Sequence, residues 1–415
     1  MTARLLDPRC GPVRALDTGR SHGVLHTATA HLADTGAFAL PLGNPVVGGT
    51  SWTSPDDAAR RALGEAAERY AGHLVPAGRL VRSTWRRLGA TAVDPAALAL
   101  YSSRQHERPG FPFAGLDRDA PIHWVTGRTA AGVECPVPAS LVWLAPGEHA
   151  EIDGRPAHLP IAAGIAAGPS LPAARSAALA EVVERHALAT AWYGGRAFPP
   201  LAGPPLPVPD GARLRWFQVP NALGAPVVLC VAWGDGDRLG AGCAVAPNAD
   251  DPVAAAGAKA AAEALVSLDT LDAVIDGMPE WSGVLKPHRD DRRYADAYRP
   301  DLSDATDLVC TLQLLADPRV AARVGARLTG GRPGGRWRPA RIDLDAALAA
   351  CRLPVVTVDI TPPDLDRLGL AVARVVVPGL RSTGPAAFPF LGDGSDPLPA
   401  DPLPPDTERL PIPHV

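Results

Sequence analysis

Alanine-rich stretches with acidic residues alternate along this chain with short runs of β-branched residues. Residues 58–70 read AARRALGEAAERY and residues 174–187 read ARSAALAEVVERHA. Alanine has the highest helix propensity, so both stretches favour helices. The β-branched runs at 225–232, 354–359 and 371–377 are typical of strands. This alternation predicts a mixed α/β fold.

The starts of four helices are marked by capping signals. Ser54 precedes Pro55 and two aspartates, which supplies a cap, a first-turn proline and negative charge at a helix N-terminus. We therefore predict a helix over residues 55–73. The other helix starts are at Ser170, Asp251 and Thr361, and Gly369 ends the last helix.

The first two of these helices each carry the pattern Glu-x-x-Glu-Arg. Its residues are Glu65, Glu68 and Arg69 in the first helix, and Glu181, Glu184 and Arg185 in the second. Residues three apart share a helix face, so each helix presents two carboxylates side by side. Such carboxylates repel each other unless a cation or a proton lies between them. If the helices converge, the four carboxylates predict a site for hard divalent cations, and Mg²⁺ commonly brings phosphate groups with it.

Composition and charge indicate a globular protein with ample core. The chain has 415 residues, of which 47% are hydrophobic and 20% charged, and its net charge is −4. A net-acidic chain does not attract nucleic acid, and the basic stretch at 330–341 is too short to change this. The first residues, MTARLLDPRCG, lack the apolar core of a signal peptide, and no apolar run reaches the ~20 residues of a membrane helix. We expect a cytoplasmic protein that binds neither nucleic acid nor membrane.

Familiar nucleotide and hydrolase motifs are absent from the sequence. There is no Gly-x-x-x-x-Gly-Lys-Ser/Thr, which excludes a P-loop as an ATP site. There is no Gly-x-Ser-x-Gly elbow of a serine hydrolase. The six cysteines form no Cys-x-x-Cys pair, so a zinc or redox motif is not indicated.

Taken in order, these elements resemble the YcaO family. The resemblance is carried by GEAAERY (64–70), GIAAG (164–168), EVVERHA (181–187), Glu263, VVTVDITPPDLDRLGLAVARVVVPGL (355–380) and PIPHV (411–415). It implies an α/β fold of YcaO type, in which a mixed sheet lies beside acidic, alanine-rich helices that line an ATP site. It also implies an extended, proline-rich C-terminal arm, and seven prolines after residue 396 fit such an arm.

The resemblance divides the chain into three parts. Residues 1–40 are expected to form an N-terminal lead-in segment, and residues 41–385 a YcaO-like catalytic domain. Residues 386–415 are expected to be the arm, which belongs to the same domain.

The chemistry implied by the resemblance is ATP-dependent activation of a peptide backbone amide. A nucleophile attacks the amide carbon, the amide oxygen is phosphorylated, and phosphate leaves with that oxygen. Phosphorylation is needed because an amide oxygen is a very poor leaving group, and a metal offsets charge on the transferring group. A Cys, Ser or Thr nucleophile gives an azoline, as in the biosynthesis of ribosomally made, modified peptides. External sulfide would give a thioamide, and a catalytically silent scaffold that binds peptide or partner protein is the rival hypothesis.

The resemblance also assigns cofactors, site residues and partners. The cofactors are ATP and Mg²⁺. The ATP-binding positions are Glu65, Glu68, Arg69, Glu181, Glu184, Arg185 and Glu263, and the metal ligands are Glu65, Glu68, Glu181 and Glu184. The catalytic candidates lie on the arm and are Pro411, Pro413, His414 and Val415. A precursor peptide and a separate leader-binding protein are the expected partners, and a homodimer is left open.

Several positions depart from the family pattern. A Gly-Lys-Gly-like stretch is common before the first helix, but residues 46–54 contain no lysine. Arg61 stands in the place of a common Ser, Ala163 in that of Asn, and Ser267 in that of Gln. These losses remove neutral contacts to the nucleotide and one cation, whereas the carboxylates are kept. The sequence therefore predicts either a divergent active enzyme or a relative with weakened ATP binding.

Overall fold

The computed structural model describes residues 5–9, 11–35, 45–207, 213–277, 283–330, 340–393 and 410–414. Most of the basic stretch at 330–341 lies outside these residues. So do Val415 and residues 394–409 of the expected arm.

The described residues form fifteen strands and nine α-helices. The strands are β1 Val13–Ser21, β2 Leu25–Leu32, β3 Val46–Ser51, β4 Val81–Ser83, β5 Ile122–Thr129, β6 Glu134–Pro138, β7 Glu151–Ile152, β8 Arg155–Pro156, β9 Ile165–Gly168, β10 Pro200–Leu201, β11 Arg213–Gln218, β12 Val227–Trp233, β13 Leu239–Val245, β14 Val356–Asp359 and β15 Ala371–Val376. The helices are α1 Pro55–His73, α2 Trp85–Leu88, α3 Ser103–His106, α4 Leu171–Tyr193, α5 Pro252–Asp276, α6 Val309–Leu315, α7 Pro318–Thr329, α8 Leu344–Ala350 and α9 Pro363–Arg367. Within the described part of the chain, no helix combines the length and the apolar character that crossing a bilayer requires.

The strands are arranged in three main sheets and one small ribbon, which confirms the α/β class. The N-terminal sheet has the order β1-β2-β3, and the distal sheet has the order β10-β11-β12-β13. The central sheet has the order β4-β5-β14-β15-β9, with β6 also paired to β5, and β7 pairs with β8 in the ribbon. Strands β1 and β2 belong to the expected lead-in, yet β2 pairs with β3, which lies beyond residue 40.

The resemblance implies a mixed sheet, with both parallel and antiparallel strand pairs, and the observed pairing differs. Every strand ladder among the described residues is antiparallel. The pair β14–β15 is one example, joined through α9. Its connecting helix spans Pro363–Arg367, and a connection this short does not provide the crossover of a dozen or more residues that a parallel pair needs.

Three long helices join the main sheets into a closed ring. Helix α1 packs against the N-terminal and central sheets, α4 against the central and distal sheets, and α5 against the distal and N-terminal sheets. Small residues permit the close packing. A Cβ at Gly49 in β3 would lie 2.3 Å from both the carbonyl oxygen of Ala58 and the amide nitrogen of Ala62 in α1. The alanine-rich faces are therefore core surfaces, and the acidic faces turn toward the middle of the ring.

The predicted helix over 55–73 is confirmed, since α1 has these bounds. The hydroxyl of Ser54 accepts a hydrogen bond from the amide of Asp57 at 3.1 Å, as the capping signal predicts. Ser170 and Asp251 cap α4 and α5 in the same way.

The close approach of β3 to α1 gives a stability test. We expect Gly49→Ala to lower the free energy of unfolding by about 1–3 kcal/mol, because the added methyl group meets helix backbone that cannot rotate away. Thermal and urea denaturation measure the change. Gly78→Ala is the matched control, since a Cβ at Gly78 meets no atom within 4 Å. Equal stability of the two variants would contradict the packing described for β3.

Candidate active site

The ring of helices and sheets encloses a groove of about 1410 Å³. Of the seven residues expected to bind ATP, six line it: Glu65, Glu68, Arg69, Glu181, Arg185 and Glu263. The seventh, Glu184, is buried beside Arg185, with 1% of its side chain exposed. The two Glu-x-x-Glu-Arg helices therefore meet at one groove, although their sequences lie more than a hundred residues apart. The roles of these residues toward ATP and metal stay predictions.

The acidic face of α1 is held by one backbone contact and one ion pair. The carboxylate of Glu68 accepts a hydrogen bond from the amide of Ala167 in β9 at 2.7 Å. Glu65 pairs with Arg69 at 2.8 Å. Burial raises the pKa of Glu68 well above its ordinary value, and the charges of Glu65 and Glu181 raise it further. The negative charge of Glu68 thus has too little positive charge beside it, and a bound cation would stabilise the ionised carboxylate.

The acidic face of α4 is more fully neutralised. Glu181 accepts from the amide of Gly164 at 2.9 Å, and Glu184 accepts from the amide of Val245 at 3.0 Å. The guanidinium of Arg185 donates to Glu184 at 2.5 Å and to Glu181 at 3.3 Å. Burial raises the pKa of Glu184 to about 7, and the charges of Arg185 and Lys259 oppose part of that rise.

The predicted glycine loop shapes the floor between α1 and α4. Gly164 has φ +92°, a conformation that L side chains rarely adopt. A Cβ there would also lie 2.7 Å from both Val182 Cγ2 and the carbonyl oxygen of Val375. Glycine at this position lets the loop enter β9 with two amides, those of Gly164 and Ala167, directed at carboxylates from different helices.

Helix α5 adds a cation that the sequence did not reveal as part of the site. The ammonium of Lys259 lies 3.9 Å from an oxygen of Glu184 and 3.7 Å from an oxygen of Glu263. The charge of Glu184 raises the pKa of Lys259, desolvation opposes part of that rise, and the charge of Glu263 adds to it. Lys259 and Glu263 are four residues apart on a helix, so in the sequence they read as an ordinary surface pair. The link to Glu184 needs the three-dimensional fold.

The last described residues of the expected arm lie at the site. Pro411, Ile412, Pro413 and His414 are all buried, and Trp192 Nε1 donates to the carbonyl oxygen of Leu410 at 3.3 Å. His414 Nε2 contacts Arg185 Nη1. A guanidinium only donates, so the imidazole accepts and is neutral. Burial, together with the charges of Arg185 and Lys259, lowers the pKa of His414 well below its ordinary value. The catalytic roles of Pro411, Pro413, His414 and Val415 stay predictions, and Val415 lies outside the described residues.

The positions that depart from the family pattern also surround the groove. Arg61, which replaces a Ser, lines it and pairs with Asp57 at 3.1 Å. Ala163 and Ser267 line it as well, as do Gly48 and Gly49 of the stretch that lacks a lysine. The departures therefore lie in the lining of the groove, together with the acidic residues that are kept.

The residues present fit a magnesium-bound nucleotide. In the described part of the chain, no group of three or more His, Cys, Asp or Glu side chains is placed to hold a metal ion unaided. Mg²⁺ commonly takes one or two protein carboxylates and completes its shell with water and phosphate oxygens. Glu68, with Glu65 and Glu181 close enough to raise its pKa, supplies such oxygen donors, and Arg69 and Arg185 supply guanidinium groups suited to phosphate.

Comparison with known proteins agrees with this geometry. A family model described as YcaO cyclodehydratase, ATP- and Mg²⁺-binding, matches residues 51–381, which is more than half of the chain. The chain belongs to the YcaO family. The cofactors of this YcaO protein are accordingly ATP and Mg²⁺, as the sequence predicted. No curated protein matches the chain.

Solved structures show that the YcaO fold extends over most of the chain. A heterocyclase in complex with substrate and cofactor superimposes with a TM-score of 0.65 at 20% identity, covering 92% of this chain and 51% of that one. This chain thus spans about half the length of that heterocyclase. YcaO from Methanopyrus kandleri, bound with AMPPCP and Mg²⁺, gives 0.56 at 17% identity, covering 89% and 86%. The E. coli microcin synthetase McbBCD complex with pro-MccB17 bound gives 0.58 at 13% identity, covering 90% of each chain.

The buried Glu184 gives a pH-dependent stability test in the absence of nucleotide and metal. Its folded-state pKa of about 7 lies above the ordinary value of 4.5. The folded state therefore favours the protonated acid, and this stabilisation is present below pH ~4.5 and is lost as the pH rises through ~7. We expect the wild type to lose about 2–3 kcal/mol relative to Glu184→Gln between those pH values. Urea denaturation in EDTA across this range measures it, and parallel pH profiles would contradict it.

Proposed function

We propose that this YcaO protein uses ATP and Mg²⁺ to activate a peptide backbone amide and closes Cys, Ser or Thr residues into azolines. The observation that carries this proposal is the convergence of two acidic helices and two guanidinium groups on one groove. Oxygen donors for a hard cation lie there beside donors for phosphate. The YcaO domain model, which matches residues 51–381, supports the same chemistry.

The proposed roles of the chain's own residues follow from their contacts. When bound, ATP and Mg²⁺ supply the phosphoryl group that makes the amide oxygen a leaving group. Glu68 and Glu65 hold the cation, and the backbone of β9 fixes Glu68 for that task. Arg69 and Arg185 neutralise phosphate oxygens. Because Arg185 also contacts His414, the arm keeps this guanidinium in position.

The size of the groove supports a peptide as the second substrate. Pockets for small ligands typically enclose about 300–1,000 Å³, so a groove of about 1410 Å³ leaves room for a peptide segment beside a nucleotide. The E. coli complex with pro-MccB17 bound supports a precursor peptide and partner proteins as binding partners. We therefore propose that a separate leader-binding protein delivers the peptide to this chain.

Nucleotide binding tests the acidic centre. We expect Glu68→Gln to weaken binding of the magnesium complex of a non-hydrolysable ATP analogue at least tenfold, about 1.4 kcal/mol or more, because the carboxylate charge that attracts the cation is removed. Isothermal calorimetry measures the affinity. Glu134→Gln is the matched control, since Glu134 forms an exposed pair with Arg128 outside the groove.

The calorimetry result distinguishes the proposed enzyme from a catalytically silent scaffold. A catalytically silent scaffold is favoured by one observation: Arg185 and Lys259 already compensate Glu184. If the wild type binds no nucleotide, or if Glu68→Gln binds as tightly as the wild type, the scaffold is the better reading.

Product analysis tests the reaction. We expect a precursor peptide that contains Cys, Ser and Thr to lose one water per ring when incubated with this protein, its leader-binding partner, ATP and Mg²⁺. One phosphate should be released per ring, since each activation expels the amide oxygen as phosphate. Mass spectrometry and a phosphate assay measure both. Exchange of oxygen for sulfur in the presence of sulfide would instead select thioamide formation, and an unmodified peptide would contradict both activities.

A further inference from the structure

The positive charge of Lys259 lies between two carboxylates from different helices. Its ammonium is 3.9 Å from Glu184 in α4 and 3.7 Å from Glu263 in its own helix α5. The side chain is 48% exposed and lines the groove, whereas Glu184 is 1% exposed. The chain's other lysine, Lys286, pairs with Asp304 at 2.6 Å. Lys259 is therefore placed to compensate the α4–α5 side of the site.

The two oxygens of Glu184 are already engaged by protein groups. Arg185 donates to one at 2.5 Å, and the amide of Val245 donates to the other at 3.0 Å. A magnesium ion shared by Glu184 and Glu263 would lie about 2.1 Å from an oxygen of each. It would then face the ammonium of Lys259 and the guanidinium of Arg185 at short range, and like charges in a partly dehydrated site repel strongly.

The α1 side of the groove has the opposite character. Among the described residues, the contacts of the Glu68 carboxylate include a hydrogen bond from the amide of Ala167 and no ion pair. Glu65 and Glu181 are its acidic neighbours, each held by an arginine of its own helix. Glu68 is thus the carboxylate of this group that no protein cation contacts among the described residues, whereas the contacts of Lys259 are with Glu184 and Glu263.

We propose that Lys259 is a built-in cation that replaces a divalent ion between Glu184 and Glu263. Divalent cations then bind on the Glu65–Glu68–Glu181 side, and Glu184 is a structural partner of Arg185 and Lys259 instead of a metal ligand. The ammonium, with three donors and one open side toward the groove, is also placed to bind phosphate oxygens. This inference rests on the proposed magnesium-nucleotide site and assigns its cations to one side.

Counting bound Mn²⁺ by electron paramagnetic resonance on the full chain tests the proposal. Mn²⁺ is titrated both alone and with a non-hydrolysable ATP analogue, and folding of each variant is checked by thermal melting. We expect Lys259→Met, which keeps the aliphatic stem, to bind one more Mn²⁺ per chain than the wild type. Lys259→Arg keeps the charge and is the matched control, with the wild-type number. Adding Glu263→Gln to Lys259→Met should remove the extra ion.

A second pair of variants in the wild-type background covers the case in which Lys259→Met fails to fold. Glu263→Gln should leave the Mn²⁺ count unchanged, whereas Glu68→Gln should lower it. The proposal is overturned if Lys259→Met folds and binds the wild-type number, or if Glu263→Gln lowers the wild-type count. Absence of nucleotide binding would count against the proposed function instead, and the titrations with Mn²⁺ alone would still decide the role of Lys259.

Discussion

The architecture of the site depends on how β9 uses its backbone at the edge of the central sheet. On one side β9 pairs with β15, and edge strands leave amide groups without strand partners on the other. The amide of Ala167 donates a hydrogen bond to Glu68 of α1. The amide of Gly164, just before the strand, donates one to Glu181 of α4. Charge-assisted hydrogen bonds of this kind are stronger than neutral ones and fix carboxylates that would otherwise repel. A sheet edge without a further strand thus becomes the floor on which two acidic helices converge.

That convergence is unfavourable for the protein alone. Burial raises the cost of keeping Glu68 ionised, and the charges of Glu65 and Glu181 add to it. On the other side, Arg185 and Lys259 offset the buried charge of Glu184. The same fold therefore holds one side on which protein cations offset part of the buried charge, and another side on which a ligand cation can offset it. Perturbed groups of this kind are concentrated at functional sites.

Local signals explain which features the sequence could predict. Helix α1 follows from Ser54, Pro55 and its alanines, all of which act within the helix. Strands β12, β14 and β15 are β-branched and buried, so short windows suffice. The hairpin β1–β2 was missed because most side chains of β1 are partly or fully exposed, which weakens the period-two pattern. The sequence could predict that two carboxylates share one face of each helix, because spacing within a helix fixes that face. The sequence could not predict that Lys259 belongs to the site, because its partner Glu184 lies on another helix and their contact depends on how the two helices pack.

The arm shows how a short terminal segment becomes part of the electrostatic centre. Pro411 and Pro413 restrict the backbone to extended forms, and Ile412, 1% exposed, is buried in the core beside α4. Anchored in this way, the segment presents His414 to Arg185. Since Arg185 also bonds Glu184, and Glu184 bonds the amide of Val245, one continuous network joins the arm, α4 and β13. Displacement of the arm would remove one contact of Arg185, which would keep its bonds to Glu184 and Glu181. The docking of the arm and the position of this guanidinium in the groove are therefore physically coupled.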